Sequence, residues 1–201
     1  MLKLAACGIA DNLYNWIDNF LSRRTQQTRV GTSLSDTVSL SSGVVQGSVL
    51  GPLLFLLYIN DVANLFDCDR CSCKMYADDV KLYTALSTAD DVASFQTKLD
   101  ALYRWSNEWQ LNISSSKCAF MVVRDSNIKT ELQLNGKSIN KVNEYKDLGV
   151  IVDKDLKFTS HINHIVASAN TRACLIRKCF LSRDVRTLIH AFNTYVRPLL
   201  E

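Results

Sequence analysis

Two acids stand side by side in a β-prone stretch, Lys74-Met75-Tyr76-Ala77-Asp78-Asp79-Val80-Lys81-Leu82-Tyr83. Adjacent ionised carboxylates repel each other, and desolvating them is costly unless a cation lies between them. Inside a strand, neighbouring side chains point to opposite faces and could not share that cation. The pair is therefore expected at the bend of a short hairpin. Hard divalent cations take oxygen ligands, and magnesium is held by one or two carboxylates with other oxygens completing its shell. The bland alternative is a turn that uses Asp because Asp tolerates turn geometry. The pair by itself favours that alternative, so the surrounding chain has to decide.

Upstream, Ser42-Gly43-Val44-Val45-Gln46-Gly47-Ser48 runs straight into Val49-Leu50-Gly51-Pro52-Leu53-Leu54-Phe55. Pro52 suits the first turn of a helix, where a missing N–H does no harm. The nearly all-round apolar character of that helix predicts burial. Gly43 and Gly47 permit close backbone approach, and Gln46 offers both a donor and an acceptor.

Charge is distributed unevenly. The net charge of +3 is too small to imply nucleic-acid binding. From Lys154 to Glu201, however, eight Lys/Arg face three acids, a net of +5, which leaves 15 basic against 17 acidic residues elsewhere. A basic C-terminal third suits contact with a phosphate backbone or, equally, a solvated helical face. Seven cysteines without a secretory leader point to free thiols in a reducing compartment, nucleus or cytoplasm. Cys68, Cys71 and Cys73 cluster but lack a fourth zinc ligand, since His161 and His164 are far along the chain. They are read as thiols of a surface loop before the hairpin. The longest apolar stretch, Val49 to Ile59, is shorter than the roughly 20 residues a membrane span needs; no membrane is expected as a partner.

Periodicity places an amphipathic helix over Ile9 to Arg23, with Leu13, Trp16, Ile17 and Phe20 on one face and basic residues in its last turn. Gln26 to Gly31 and Thr37 to Leu40 read as strands around a turn at Thr32 to Asp36. Ser87 and Thr88, each followed by an acid three residues on, start a helix that runs to Gln110 with Val92, Phe95, Leu99, Leu102, Ser106 and Trp109 as its core stripe. Cys118 to Val123 reads as a short buried strand, Asn135-Gly136 as a type I′ hairpin turn, and Tyr145 to Val152 as a further strand. Helical periodicity then takes over, through Ile162, Ile165, Ala169, Ala173 and Ile176, and through Val185, Leu188, Phe192, Tyr195 and Leu199.

In order and spacing, the Ser42–Ser48 segment, the helix ending Tyr58-Ile59-Asn60-Asp61 and the Tyr76-Ala77-Asp78-Asp79 hairpin resemble reverse transcriptases of non-LTR (LINE-type, jockey-like) retrotransposons. The similarity extends over almost the whole chain. It implies an α+β fold: a reverse-transcriptase-type palm, an antiparallel sheet with packed helices, over 1–158, followed by the start of an all-helical thumb over 159–201. The implied chemistry is RNA-directed DNA synthesis, nucleotidyl transfer to a primer 3′ oxygen by two metals, with Mg2+ or Mn2+ as cofactor and an RNA template, a DNA primer and dNTP as partners. Asp78 is then the direct metal ligand and Asp79 the supporting carboxylate. Gly43, Gln46, Gly47, Ser48 and Tyr76 would line the template and nucleotide pocket, with Ser48 capping the helix or lying near primer or template. Lys117, in Leu111-Asn112-Ile113-Ser114-Ser115-Ser116-Lys117-Cys118, resembles the lysine that serves as proton donor or charge partner for leaving pyrophosphate. Tyr145, Leu148 and Gly149 fall in a stretch that resembles the hairpin gripping the primer terminus; Tyr145 and Leu148 could as easily be core. Lys157, Arg172, Arg177 and Lys178 are candidate phosphate contacts.

The chain departs from this family at Val45, where proline is usual; without a fixed φ the loop is looser. The family's first catalytic aspartate lies on a strand before the opening helix, and Met1 to Gly8 contain no acid. The fingers are expected to be absent from this stretch as well. A fragment, catalytically incomplete alone, is expected. A non-catalytic nucleic-acid-binding remnant is the alternative. A group II intron or telomerase-type polymerase shares the Asp-Asp hairpin, but Tyr145-Lys146-Asp147-Leu148-Gly149 and the sequence after it favour the LINE-type branch.

Overall fold

The computed structural model describes residues 1–66, 70–124, 128, 130–181 and 183–201. Helix α1 (Leu2–Ala6) is followed by α2 (Asp11–Leu21). α2 is shorter than the expected 9–23, because Asp11 and Arg23 hold left-handed φ values of 54° and 52°. Arg23 and Arg24 thus lie beyond the helix rather than in its last turn. Of the expected face, Ile17 is buried with Leu4 and Leu54, and Phe20 packs at the margin of that cluster. Leu13 and Trp16 stay exposed.

Strands β1 (Arg24–Gln26), β2 (Arg29–Val30), β3 (Ser33–Leu34) and β4 (Val38–Leu40) form two nested pairs, β1 antiparallel to β4 and β2 to β3. The reversal falls at Gly31-Thr32, at the leading edge of the expected turn, because Gly31 supplies a φ of 61° there. Helix α3 (Leu50–Ile59) continues into a 3-10 segment, Asn60–Phe66. The burial expected all around α3 is corrected: Leu54 and Ile59 are buried, but Leu53 and Leu56 are 54% and 50% exposed. An apolar helix has no intrinsic inner face, and the cluster around Leu4 and Ile17 covers the side that carries Leu50, Leu54 and Leu57.

Strands β5 (Cys71–Tyr76) and β6 (Asp79–Thr84) form the acid-bearing hairpin. Cys71 and Cys73 sit at alternate, half-buried positions of β5 rather than in a loop, and Cys68 lies outside the described residues. Helix α4 (Ala89–Glu108) begins with a reciprocal cap: the Asp91 carboxylate accepts the N–H groups of Ser87 and Thr88 at 2.8 Å, and Thr88 Oγ1 accepts the Asp91 N–H at 3.3 Å. This is the geometry expected of Thr followed by an acid three residues on. Phe95, Leu99, Leu102 and Ser106 are buried along it, as the stripe predicts.

Strands β7 (Ala119–Phe120), β8 (Gln133–Leu134), β9 (Lys137–Ser138) and β10 (Asn140–Lys141) follow. β7 is half-buried and shorter than the expected Cys118 to Val123, since its partner β10 offers only two residues, in parallel register. Asn135 and Gly136 take φ values of 54° and 69° between β8 and β9, as a type I′ turn requires. The single strand expected over 145–152 is instead a second hairpin, β11 (Glu144–Asp147) and β12 (Val150–Asp153), folded at Leu148-Gly149. Helices α5 (Thr159–Cys179) and α6 (Val185–Tyr195) and a 3-10 turn, Arg197–Leu199, complete the chain. α5 buries Ala169 as expected. α6 packs through Ala191, with Val185, Phe192 and Tyr195 left exposed, because a small side chain permits the closest approach.

The whole is α+β. In place of one antiparallel sheet, the described strands pair as six separate two-stranded units, five antiparallel and one parallel. Two compact units result: Met1–Leu86 with Ala93–Gln110, and Ser87–Val92 with Leu111–Glu201. Among the described residues, no helix is long and apolar enough to cross a membrane.

Candidate functional site

The β5–β6 register pairs Tyr76 with Asp79, Met75 with Val80 and Lys74 with Lys81. Directly opposed residues of an antiparallel pair share a face, so Tyr76, Asp79, Lys74 and Lys81 lie on one side of the hairpin. Cys73, Met75, Val80 and Leu82 lie on the other. Asp78 occupies the turn itself, beside Ala77, which holds a left-handed φ of 52°. A non-glycine residue there stores strain of about 1–3 kcal/mol. Tyr76, Asp78 and Asp79 are all exposed. Both acids thus sit at the bend, as expected, with their oxygens open to a ligand. Among the described residues no group of three or more His, Cys, Asp and Glu converges on a metal-sized site. Two exposed carboxylates still fit magnesium in type and number, because that ion keeps waters and takes substrate phosphates as its remaining ligands.

In the same unit, the Ser42–Ser48 loop leads into α3. Gly43 and Gly47 take φ values of 81° and 78°, which only glycine adopts freely. Ser48 Oγ donates to the Val45 carbonyl at 2.6 Å and accepts the Gly51 N–H at 3.0 Å, so Ser48, one position before the N-cap Val49, satisfies an N–H of the first turn of α3. A Cβ on Gly51 would lie 3.0 Å from both Ser48 Oγ and Val45 O. Val44 packs against the Leu4, Ile17 and Leu54 cluster, while Gln46 is exposed at the crest. The base of the loop is held by Arg24, which donates to the carbonyls of Leu21, Ser42 and Gly43.

The second unit carries the other candidates. Lys117 ends a 3-10 turn, Ser115–Lys117, and is exposed. Tyr145 pairs with Val152 on the β11–β12 hairpin, whose turn places Leu148 at φ 45° and Gly149 at φ 93°. The Ile151 N–H donates to His161 Nδ1 at 3.4 Å, tying β12 to the first turn of α5. Lys157 Nζ stands 3.9 Å from Asp155. Arg172, Arg177 and Lys178 are exposed on α5. Helical geometry puts Arg177 about 140° and Lys178 about 240° around the axis from Arg172, so they do not form one stripe.

Sequence reasoning missed Arg24, Lys3 and Asp153. Asp153 accepts the N–H groups of Asp155, Lys157 and Phe158 and organises the entry to α5; the Lys157 N–H is the chief cause that holds its carboxyl below the ordinary range. An acid ahead of a helix was its only signal. Arg24 and Lys3 gave none, because the Ser42 and Gly43 carbonyls and the partners of Lys3 are remote in sequence. Burial pushes the thiols of Cys73 and Cys118 up, which suits inert packing more than reactivity.

The family model for reverse transcriptase (RNA-dependent DNA polymerase) matches residues 1–152. The RNA-directed DNA polymerase from mobile element jockey of Drosophila melanogaster is 29% identical over 190 residues, which cover 91% of this chain and 21% of that protein. The jockey polymerase of Drosophila funebris is 28% identical over 205 residues, 97% of this chain and 22% of its own length. A probable RNA-directed DNA polymerase from transposon BS of Drosophila melanogaster is 29% identical over 173 residues, 82% and 18% respectively. The chain spans about a fifth of the length of these relatives. No solved structure matches it significantly. With three quarters of its length matched by that model, the chain belongs to the reverse transcriptase (RNA-dependent DNA polymerase) family.

Proposed function

We propose that this chain is the part of a retrotransposon RNA-directed DNA polymerase that carries the second and third catalytic carboxylates, with a palm over 1–158 and the start of a thumb over 159–201. The observation that carries this reading is the pair Asp78 and Asp79, exposed at the strained bend of the β5–β6 hairpin in a chain of this family. A divalent ion bound there would supply charge neutralisation for the transferred phosphoryl group.

The roles of the chain's own residues follow from their placement. Asp78, at the turn, and Asp79, opposite Tyr76, bring exposed oxygen donors to the same end of the hairpin. Gln46 presents an amide from a loop fixed at both ends, where it can pair with template or nucleotide groups without reorganising. Gly43, Gly47 and Ser48 set that loop's path. In the second unit, Lys117 offers an ammonium that can donate a proton or a charge to pyrophosphate. The exposed Tyr145, Leu148 and Gly149 turn offers an apolar edge for a primer, and Lys157, Arg172, Arg177 and Lys178 supply positive charge without sequence preference. RNA template, DNA primer and dNTP are the corresponding partners.

The test is primer extension on an RNA template with magnesium, using the jockey polymerase with its matching segment replaced by this chain. Extension by the graft that disappears in Asp78→Asn supports the reading. Extension that survives Asp78→Asn overturns it.

A further inference from the structure

We infer that Arg24 is the positioning residue of the Ser42–Ser48 loop, setting the place of Gln46 through the backbone carbonyls at the loop's base. This deepens the reading of that loop as the template and nucleotide pocket, and its consequence for nucleotide rests on that reading.

Arg24 opens β1 and pairs with Leu40 of β4. Its side chain reaches past that pair. Nη2 donates to the Gly43 carbonyl and, at 3.2 Å, to the Ser42 carbonyl, while Nε donates to the Leu21 carbonyl at 2.8 Å. Leu21 is the last residue of α2, where carbonyls lack helical partners and a cation is favoured. One guanidinium therefore joins the end of a helix to the two carbonyls that flank the left-handed step at Gly43. Such a fork needs the planar, fixed N–H directions of arginine; a lysine ammonium supplies charge without that geometry.

The other end of the loop is fixed by Ser48 Oγ on Val45 O and by the close fit of Gly51 against both. Gln46 lies between these two anchors. Val45 has no ring to fix its φ, so the order of the crest depends on contacts from outside the loop. Arg24 provides them at the entry, where Ser48 cannot reach.

Amide hydrogen exchange on the 201-residue chain tests this. Arg24→Lys retains the charge and is expected to speed exchange at Ser48 and Gly51, whose N–H groups are bonded to Val45 O and Ser48 Oγ, about fivefold or more, with Leu99 to Trp105 of α4 unchanged. Adding Val45→Pro, which restrains the crest by a different route, should restore slow exchange. Unchanged rates in the loop, or acceleration spread equally through α4, would overturn the positioning role. A second arm measures dATP binding to the same variants with magnesium and primer–template. Weakened binding in Arg24→Lys that recovers with Val45→Pro supports both the positioning role and the pocket. Altered exchange with unaltered dATP binding keeps the positioning role and removes the pocket reading.

Discussion

Lys3 and Asp61, 58 positions apart in the chain, meet at 2.7 Å, with the lysine side chain only 12% exposed. The same ammonium donates to the Tyr58 carbonyl at the end of α3 and stands 4.8, 4.7 and 3.9 Å from the ring centroids of Tyr58, Trp105 and Trp109. Tyr58 in turn donates its hydroxyl to the Trp109 carbonyl. A cation is thereby placed where the α3 carbonyls run out of partners, among three aromatic faces that attract it. It anchors the short helix α1, which could not persist alone.

This arrangement sets an order for two substitutions. Asp61→Ala leaves a buried ammonium without its carboxylate and should cost about 3 kcal/mol. Lys3→Met removes the charge and refills its space with an apolar chain of similar length, and should cost under about 1 kcal/mol. Urea denaturation of both variants checks the order; the reverse order would show that the aromatic faces, not the ion pair, hold α1.

The hairpin turns at Asn135-Gly136 and Leu148-Gly149 differ in one residue type. Asn135 accepts a left-handed φ readily, whereas Leu148 takes φ 45° and is 54% exposed. An apolar side chain strained into solvent serves contact better than stability. Leu148→Asn is expected to raise stability by about 0.5–1 kcal/mol and to weaken primer–template binding. Thermal melts and fluorescence anisotropy read the two effects, and a drop in melting temperature would contradict the strain argument.

Asp153 and Asp184 both ionise below the ordinary carboxylate range, Asp153 chiefly through the Lys157 N–H and Asp184 chiefly through the Thr187 N–H. A carboxyl depressed in the folded state contributes stability that is complete above its unfolded value, about 3.9, and is lost as pH falls through the lower folded value. Melting temperature should therefore fall more steeply below about pH 4 in the parent than in Asp153→Asn/Asp184→Asn. Parallel curves would show that neither acid is held by these bonds once in solution.

Because Arg172, Arg177 and Lys178 point in different directions around α5, one straight phosphate backbone cannot engage all three. Arg177→Ala/Lys178→Ala should make the log–log salt dependence of primer–template binding shallower by about 0.7–0.9, one contact's worth. A change twice as large would mean that the strand wraps the helix, and no change would remove both residues from the interface.

The parts legible in the sequence were those fixed by neighbours. Asn135-Gly136 dictates its own turn, Thr88 and Asp91 cap α4 within three residues, and Asp78-Asp79 must take a bend. The site's loop and hairpin were visible as motifs for the same reason. What holds them in place was not. Arg24 reaches carbonyls 18 and 19 positions away, and Lys3 reaches one 55 positions away, distances at which no local pattern survives. The burial expected all around α3 fails because apolarity marks which residues can be buried, whereas neighbouring elements decide which are. A single strand over Tyr145 to Val152 is expected because Leu148 does not advertise a turn.

Manganese is paramagnetic and can replace magnesium at a pair of carboxylates, so its effect on amide resonances tests the claim for Asp78 and Asp79 most directly. In the presence of dATP, low manganese should broaden Tyr76, Ala77, Asp78, Asp79 and Val80 before any other amides of the chain. Asp78→Asn should abolish that selectivity without changing the fold, since an exposed substitution shifts stability by no more than about 0.5 kcal/mol. Broadening that starts elsewhere, or that persists at the hairpin in Asp78→Asn, would contradict the assignment of these two aspartates to the metal.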